Sequence, residues 1–308
     1  MAVDALDLVV AINPRASFGK NAGVGPRVVA ALREAGHNVQ ELQASSYAAL
    51  RDQLVSAIRD SPEGVIVVGG DGMVHLGVEL CSQHNIPLGV IPAGTGNDLA
   101  RHLGIPLDID DAQRLLLECL GEEPIAIDHG VARSAQGDET PFACVLSAGF
   151  DAIVNERANR LVFPKGRHRY TLALLIELIK LKPLSYTLEV DGERHTGKYL
   201  LVAVANSQSF GGGMKVTPEA SVHDGLLDVF TLKPLSRLAF LRIYPRVFAG
   251  THVTDKRVTI TQARVVRIES EGIVAYADGE RVGPLPLEVS VTGGSLRVFA
   301  PALAPAGV

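Results

Sequence analysis

"VIVVGGDGMVHLGVEL", residues 65–80, joins an apolar β-branched run, a glycine-rich turn with one aspartate, and a second apolar run at helical spacing. A short apolar run reads as a buried strand, and glycines ahead of a helical pattern read as the turn that follows it. The alternation extends in both directions. Strand-like "LDLVVAI" (6–12), "NVQELQA" (38–44), "GVIVVG" (64–69), "PLGVI" (87–91) and "PIAIDHG" (124–130) alternate with helical patterns over 25–36, 47–60, 73–83, 97–103 and 110–120. Gly36 stands where the first of these helices should stop. Such a rhythm predicts βαβ units and a parallel sheet covered on both faces, an α/β domain over residues 1–129. Ligands of such sheets bind beyond the carboxyl ends of the strands. The loops at 13–20, 69–73 and 92–98 are therefore expected on one rim.

From about residue 130 the pattern changes to long alternating segments such as "LSYTLEVDGE", "KYLLVAVAN", "LLDVFTL" and "ARVVRIES", joined by glycine-bearing turns. This predicts a mostly antiparallel β-rich domain over 130–291, with helices near 152–160, 170–180 and 235–248. The last strand, "GSLRVFA", is a candidate to return to the first domain, which residues 292–303 would then complete. An exposed strand edge in the β-rich domain leaves room for pairing two chains into a homodimer.

A chain of 308 residues exceeds what one core usually organises. Its net charge of −5 provides no basic field for nucleic acid. Cys81, Cys119 and Cys144 are far apart and form no CxxC pair, which argues for a reducing compartment and against a disulfide scaffold or zinc site. The start, "MAVDALDLVVAINP", carries two aspartates where a secretory signal needs lysine or arginine. The longest apolar helix-like run, "TLALLIELIKL" (171–181), is too short for a bilayer and contains Glu177 and Lys180. A cytoplasmic protein is expected, with membrane contact only at its periphery.

Neither common nucleotide motif is complete. "ASFGKNAG" has Gly19-Lys20, but Pro14 and Asn21 break the Walker pattern, and "GVGPRV" has Val28 where a dinucleotide fingerprint needs glycine. "GGDG" at 69–72 admits two readings. Without Cβ atoms its N–H groups can approach an anion at a helix start, with the acid beside a phosphate-bridging Mg²⁺. Alternatively it is a tight turn in which Asp71 caps the helix. "IPAGTGNDLAR" (91–101) again follows an apolar strand and adds two glycines, the Thr95 hydroxyl, and Asn97 and Asp98 as caps or holders of a metal-bound water. Two such loops on successive strands, with "NPRASFGK" after the first strand, favour the phosphate reading.

"NP" at 13–14, "GGDG" at 69–72 and "PAGTGND" at 92–98, in that order and spacing, resemble the catalytic domain of diacylglycerol kinases, which bacterial lipid kinases and sphingosine kinases share. The resemblance continues through "SAGFDA" (147–152), "NSQSFGGGMKVTPEASVHDGLLDV" (206–229) and "ADGE" (277–280) and so covers nearly the whole chain. It implies a nucleotide-binding α/β domain, a β-rich lipid-substrate domain, and phosphorylation of diacylglycerol to phosphatidic acid with ATP and Mg²⁺. On that resemblance Asn13, Pro14, Gly69, Gly70, Asp71, Gly72, Met73, Gly94, Thr95 and Asn97 would contact ATP. Ser45 or Ser46 would meet the adenosine, and Lys20 is a further phosphate candidate. Asp71 and Asp98, with Asp128 of "AIDHG", would join the catalytic Mg²⁺ network, and Glu280 would be the general base. "SVHDGLL" resembles the family's structural Mg²⁺ loop, with the carbonyls of Ser221 and Leu226 and the carboxylate of Asp224 as ligands.

Two segments suit a lipid surface, or equally are amphipathic helices with solvated basic faces. Residues 157–169 hold Arg157, Arg160, Lys165, Arg167 and Arg169 and no acid, and "RLAFLRIYPRVFAG" (237–250) mixes arginines with Phe240, Tyr244 and Phe248. Arg101 and Lys165 are headgroup candidates. Met73 departs from the family's usual threonine. A backbone N–H contact to phosphate would tolerate that change, whereas a hydroxyl contact would not. NAD kinases and phosphofructokinases also carry GGDG, but "PAGTGND" and "ADGE" follow the lipid kinases. A sphingoid base, ceramide or phosphatidylglycerol stands as the alternative acceptor, and a non-catalytic nucleotide- and lipid-binding relative as the rival of another class.

Overall fold

The computed structural model describes residues 4–13, 23–160, 172–173, 176–177 and 182–303. Two compact units divide the chain: Met1–Asp128 with Gly294–Val308, and His129–Gly293.

The first unit alternates β1 (Asp7–Ile12), α1 (Val24–Glu34), β2 (Asn38–Gln43), α2 (Tyr47–Ile58), β3 (Gly64–Gly69), α3 (Asp71–His84), β4 (Leu88–Pro92), α4 (Asp98–His102) and α5 (Ile109–Cys119), and ends in the first residues of β5 (Ile125–Ser134). β2, β1, β3 and β4 lie side by side, all parallel. Every residue of β3 and β4 is buried, as is β1 after Asp7, which explains their unbroken apolar sequences. Adjacent residues of β3 show that both faces are covered. Val67 meets α3 at Gly77, where a Cβ would lie 3.1 Å from it, while Ile66 on the other face sits against Gly89 beside Leu116 of α5.

The second unit contains β6 (Glu139–Phe142), β7 (Val145–Ser147), α6 (Phe150–Arg160), β8 (Leu184–Val190), β9 (Glu193–Tyr199), β10 (Leu201–Ala205), β11 (Leu227–Leu232), α7 (Arg237–Phe248), β12 (Val258–Ala263), β13 (Val265–Glu269), β14 (Val274–Ala277), β15 (Glu280–Pro284) and the first part of β16 (Leu287–Val298). One antiparallel sheet runs β16-β13-β8-β9, and another runs β12-β11-β10-β7-β14-β15. Their inner faces share one apolar core that includes Leu188, Val266 and Val289 from the first sheet and Leu146, Val204 and Val229 from the second. Asp191-Gly192 and Asp278-Gly279 close tight hairpins with positive φ at both turn residues (46° and 88°, 50° and 87°), the backbone that the right-handed strand twist prefers.

An α/β unit with a parallel sheet, and a separate β-rich antiparallel unit, are the expected fold class. The last strand does return: Val298 pairs in parallel with Leu88, and the Phe299 N–H donates to the Leu88 carbonyl at 2.9 Å. The helix expected near 170–180 falls largely outside the described residues. All three cysteines are buried free thiols. Among the described residues no helix is long and apolar enough to cross a membrane.

Candidate functional site

Strand register places the candidate loops on one rim. Gln43 lies level with Ile12, Ile12 with Val68, and Gly69 with Pro92. Asn13, Gly70 and Ala93 therefore leave the sheet together, with Ser45 two residues beyond the end of β2. The Asn13 N–H donates to the Val68 carbonyl, and the Ala93 N–H to that of Gly69. Pro14, Lys20 and Lys165 lie outside the described residues.

Beyond the rim, "GGDG" and "PAGTGND" pack backbone on backbone. A Cβ on Gly94 would lie 2.2 Å from the Gly70 Cα, and one on Gly70 would lie 2.9 Å from the Gly94 Cα and 3.9 Å from the Thr95 nitrogen. Only glycine permits that approach. A carboxylate then ties the loops. Asp71 Oδ1 accepts the Asp98 N–H at 2.9 Å, and Oδ2 accepts the Asn97 N–H at 3.1 Å. Asp71 thus caps α4 rather than α3, the helix it begins, and Gly96 must lack a side chain because a Cβ there would meet Oδ2 at 2.3 Å. Each Asp71 oxygen retains a lone pair for a further donor or a cation.

Asn97 shapes its loop. It adopts left-handed backbone (φ 55°), and its buried side chain accepts from the Gly94 N–H while donating to the Gly94 and Pro92 carbonyls. These bonds give Asn97 a positioning role inside the loop, beside the ATP contact expected of it. Thr95 is exposed, and its N–H and that of Gly96 make no hydrogen bond among the described residues. The first N–H groups of α3, at Asp71 and Gly72, have no preceding helical turn to bond. Donors from both loops therefore surround the glycine contact, with the positive end of the α3 dipole beneath them.

Ser46 caps α2 by accepting the Ala49 N–H, which leaves Ser45, also exposed, as the hydroxyl not used by the helix. Arg101 donates to the Gly96 carbonyl from an exposed position. Asp98 is buried, as is Asp128, which accepts the Gly294 N–H at 2.7 Å. Met73 is only 2% exposed, packs against Gly69, and donates its N–H to the Gly70 carbonyl at 2.9 Å. Neither its N–H nor its side chain is presented to a ligand. Met73→Thr is accordingly expected to cost about 2 kcal/mol of stability by opening the packing. A melting curve and a nucleotide titration test this: the melting temperature should fall while ATP affinity stays within about threefold.

In the second unit Glu280 is exposed at the start of β15. Its neighbour Asp278 does a structural task that the sequence did not reveal. Its Oδ2 accepts the Ala143 N–H at 2.8 Å, and Oδ1 accepts those of Cys144 and Val145 at 3.0 Å. The Asp224 carboxylate accepts the Leu226 N–H and the Gln262 side-chain amide. Burial, then the charges of Asp224 and Glu219, push the Asp228 carboxyl up to about 6. The set that the resemblance implies, the Ser221 and Leu226 carbonyls with the Asp224 carboxylate, is all oxygen and so chemically suits Mg²⁺. Among the described residues no three acidic, histidine or cysteine side chains group closely enough to hold a metal by themselves.

Of the basic segment 157–169, Arg157 pairs with the buried carboxylate of Glu177. A narrow cavity of about 70 Å³, lined by residues including Phe150, Phe210, Met214, Phe230, Phe240 and Tyr244, is almost wholly apolar. His252, buried beside it, holds its Nε2 3.0 Å from the Val216 carbonyl oxygen. Burial pushes its pKa down and favours the neutral ring. Nothing in the local sequence marked the cavity, because its walls come from segments spread between Phe150 and Val258.

Residues 7–132 match the diacylglycerol kinase catalytic domain model, and residues 144–300 match the YegS C-terminal NAD kinase beta sandwich-like domain model. A diacylglycerol kinase of Mycobacterium tuberculosis is 38% identical over 290 residues, 94% of this chain and 93% of that protein. A probable lipid kinase YegS-like protein of Shewanella frigidimarina is 29% identical over 73% of this chain and 72% of its own length. Among solved structures, a diacylglycerol kinase of Bacillus anthracis shares the fold with a TM-score of 0.70 at 19% identity, covering 99% of each chain.

Proposed function

The chain belongs to the diacylglycerol kinase catalytic-domain family, and from that premise we propose that it transfers the γ-phosphoryl group of ATP to the free hydroxyl of diacylglycerol, giving phosphatidic acid and ADP. The observation that carries the reading is the glycine-on-glycine contact of Gly70 with Gly94, which gathers backbone donors of two loops around one point. Phosphoryl transfer needs positioned phosphates above all. N–H groups at Asp71, Gly72, Thr95 and Gly96 supply the positioning, Ser45 meets the adenosine, and Glu280 takes the hydroxyl proton as the phosphorus–oxygen bond forms. Asp71 and Asp98, with Asp128 as the resemblance implies, would hold Mg²⁺, which neutralises phosphate charge when bound; one or two carboxylates with phosphate oxygens and waters suffice for that ion. A second Mg²⁺ at Ser221, Asp224 and Leu226 would be structural.

The test incubates the purified protein with labelled ATP and Mg²⁺ and a panel of diacylglycerol, sphingosine, ceramide, monoacylglycerol and phosphatidylglycerol in mixed micelles, with NAD as a separate acceptor. Label in phosphatidic acid is the expected result. Label in a sphingoid base or in phosphatidylglycerol changes the acceptor and keeps the chemistry, and label in NAD overturns the lipid assignment. No transfer at all favours a non-catalytic relative.

A further inference from the structure

α7 turns apolar residues both inward and outward. Phe240 and Ile243 are buried, and Tyr244 is half-buried, with its ring 5.8 Å from that of Phe240. On the opposite side Leu238, Leu241 and Phe248 are exposed by 70%, 52% and 47%. At 100° per residue these three and Pro245 fall in one stripe, with Arg237 along one border and Arg242 along the other. Of the three aromatics that the sequence offered as interfacial, Phe240 and Tyr244 belong mostly to the inner face and Phe248 to the outer. The outer face belongs to the leucines and Phe248.

A solvent-facing stripe of this kind needs an occupant. Three arginines and no acid stand on α7, in a chain whose net charge is −5. Arg246 donates to the Thr251 carbonyl and the Thr254 hydroxyl, which fixes the short 3₁₀ helix Thr251–Thr254 against the end of α7, where Val253 is also exposed. Apolar residues bordered by arginines on a helix too short to span are the pattern of an element that lies in the headgroup region of a membrane. A second copy of the chain fits less well, because a two-fold contact through this stripe would bring its arginine borders toward one another.

We propose that the Leu238–Leu241–Pro245–Phe248 face of α7 docks the protein on an anionic bilayer, with Arg237 and Arg242 meeting lipid phosphates. The choice of occupant rests on the lipid-kinase reading. The experiment sediments the full chain, without nucleotide, with vesicles of phosphatidylcholine alone or mixed with phosphatidylglycerol. The wild type should pellet with the mixed vesicles and far less with the neutral ones. Leu238→Glu with Leu241→Glu should lower the partition coefficient at least about tenfold with an unchanged melting temperature. Arg242→Gln should lower it about fivefold, an effect that added salt removes. Equal binding by wild type and double variant, or no binding by either, overturns the proposal. So does a wild-type dimer, seen by sedimentation velocity, that the double variant dissolves. Phosphorylation of a monomeric short-chain diacylglycerol is measured in parallel. Vesicle binding without it keeps the docking face and sinks the kinase reading, while phosphorylation without vesicle binding does the reverse.

Discussion

Gly94→Ala is expected to destabilise the first unit by about 3 kcal/mol, roughly 6–12 °C in melting temperature, and to remove measurable ATP binding. The new methyl would sit 2.2 Å from the Gly70 Cα and 3.1 Å from its nitrogen, and also 2.8 Å from Asn97 Oδ1. Backbone cannot swing aside as a flexible side chain can, so one loop must move. Any movement of the second loop pulls the Asn97 and Asp98 N–H groups off the Asp71 carboxylate, and with them the start of α4. The penalty thus extends from the clash to two charge-assisted hydrogen bonds. Gly23→Ala is the control: nothing lies within 4 Å of a Cβ there, and φ is an ordinary −82°. Differential scanning fluorimetry with and without nucleotide checks both variants. A Gly94→Ala protein that melts and binds ATP like wild type would remove the loop contact as the organiser of the site.

What the sequence disclosed follows from how local each signal is. Strands buried on both faces write unbroken apolar runs, so β1, β3 and β4 were readable from a few residues each. The glycines of both loops were readable as glycines, but their reason was not, since Gly70 and Gly94 meet across 24 positions. Asp71 invites the inference that it caps the helix it begins. Its actual partners are 26 and 27 residues away. Asp278 likewise reads as a turn residue, while its acceptor role depends on residues more than 130 positions earlier. α7 shows a different limit. Where a helix is apolar nearly all round, periodicity does not say which side the core takes.

The two acids of "DGE" separate chemistry from architecture. Glu280→Gln is expected to lower kcat by about 10²–10⁴-fold with the melting temperature unchanged. Glutamine keeps the shape and the strand position of Glu280, whose exposed side chain makes no hydrogen bond among the described residues, but it cannot take the acceptor's proton. Asp278→Ala should act in the opposite way. It strips the acceptor from three backbone N–H groups, and each group left unsatisfied costs about 1–3 kcal/mol. A fall of several degrees is therefore expected, and any loss of rate should track the fraction of protein still folded. Comparing kcat with melting temperature for both variants distinguishes the roles. If Glu280→Gln retains wild-type kcat at neutral pH, the base lies elsewhere and the "DGE" hairpin is architecture alone. If it loses rate with an intact fold, the step it loses is proton removal from the lipid hydroxyl.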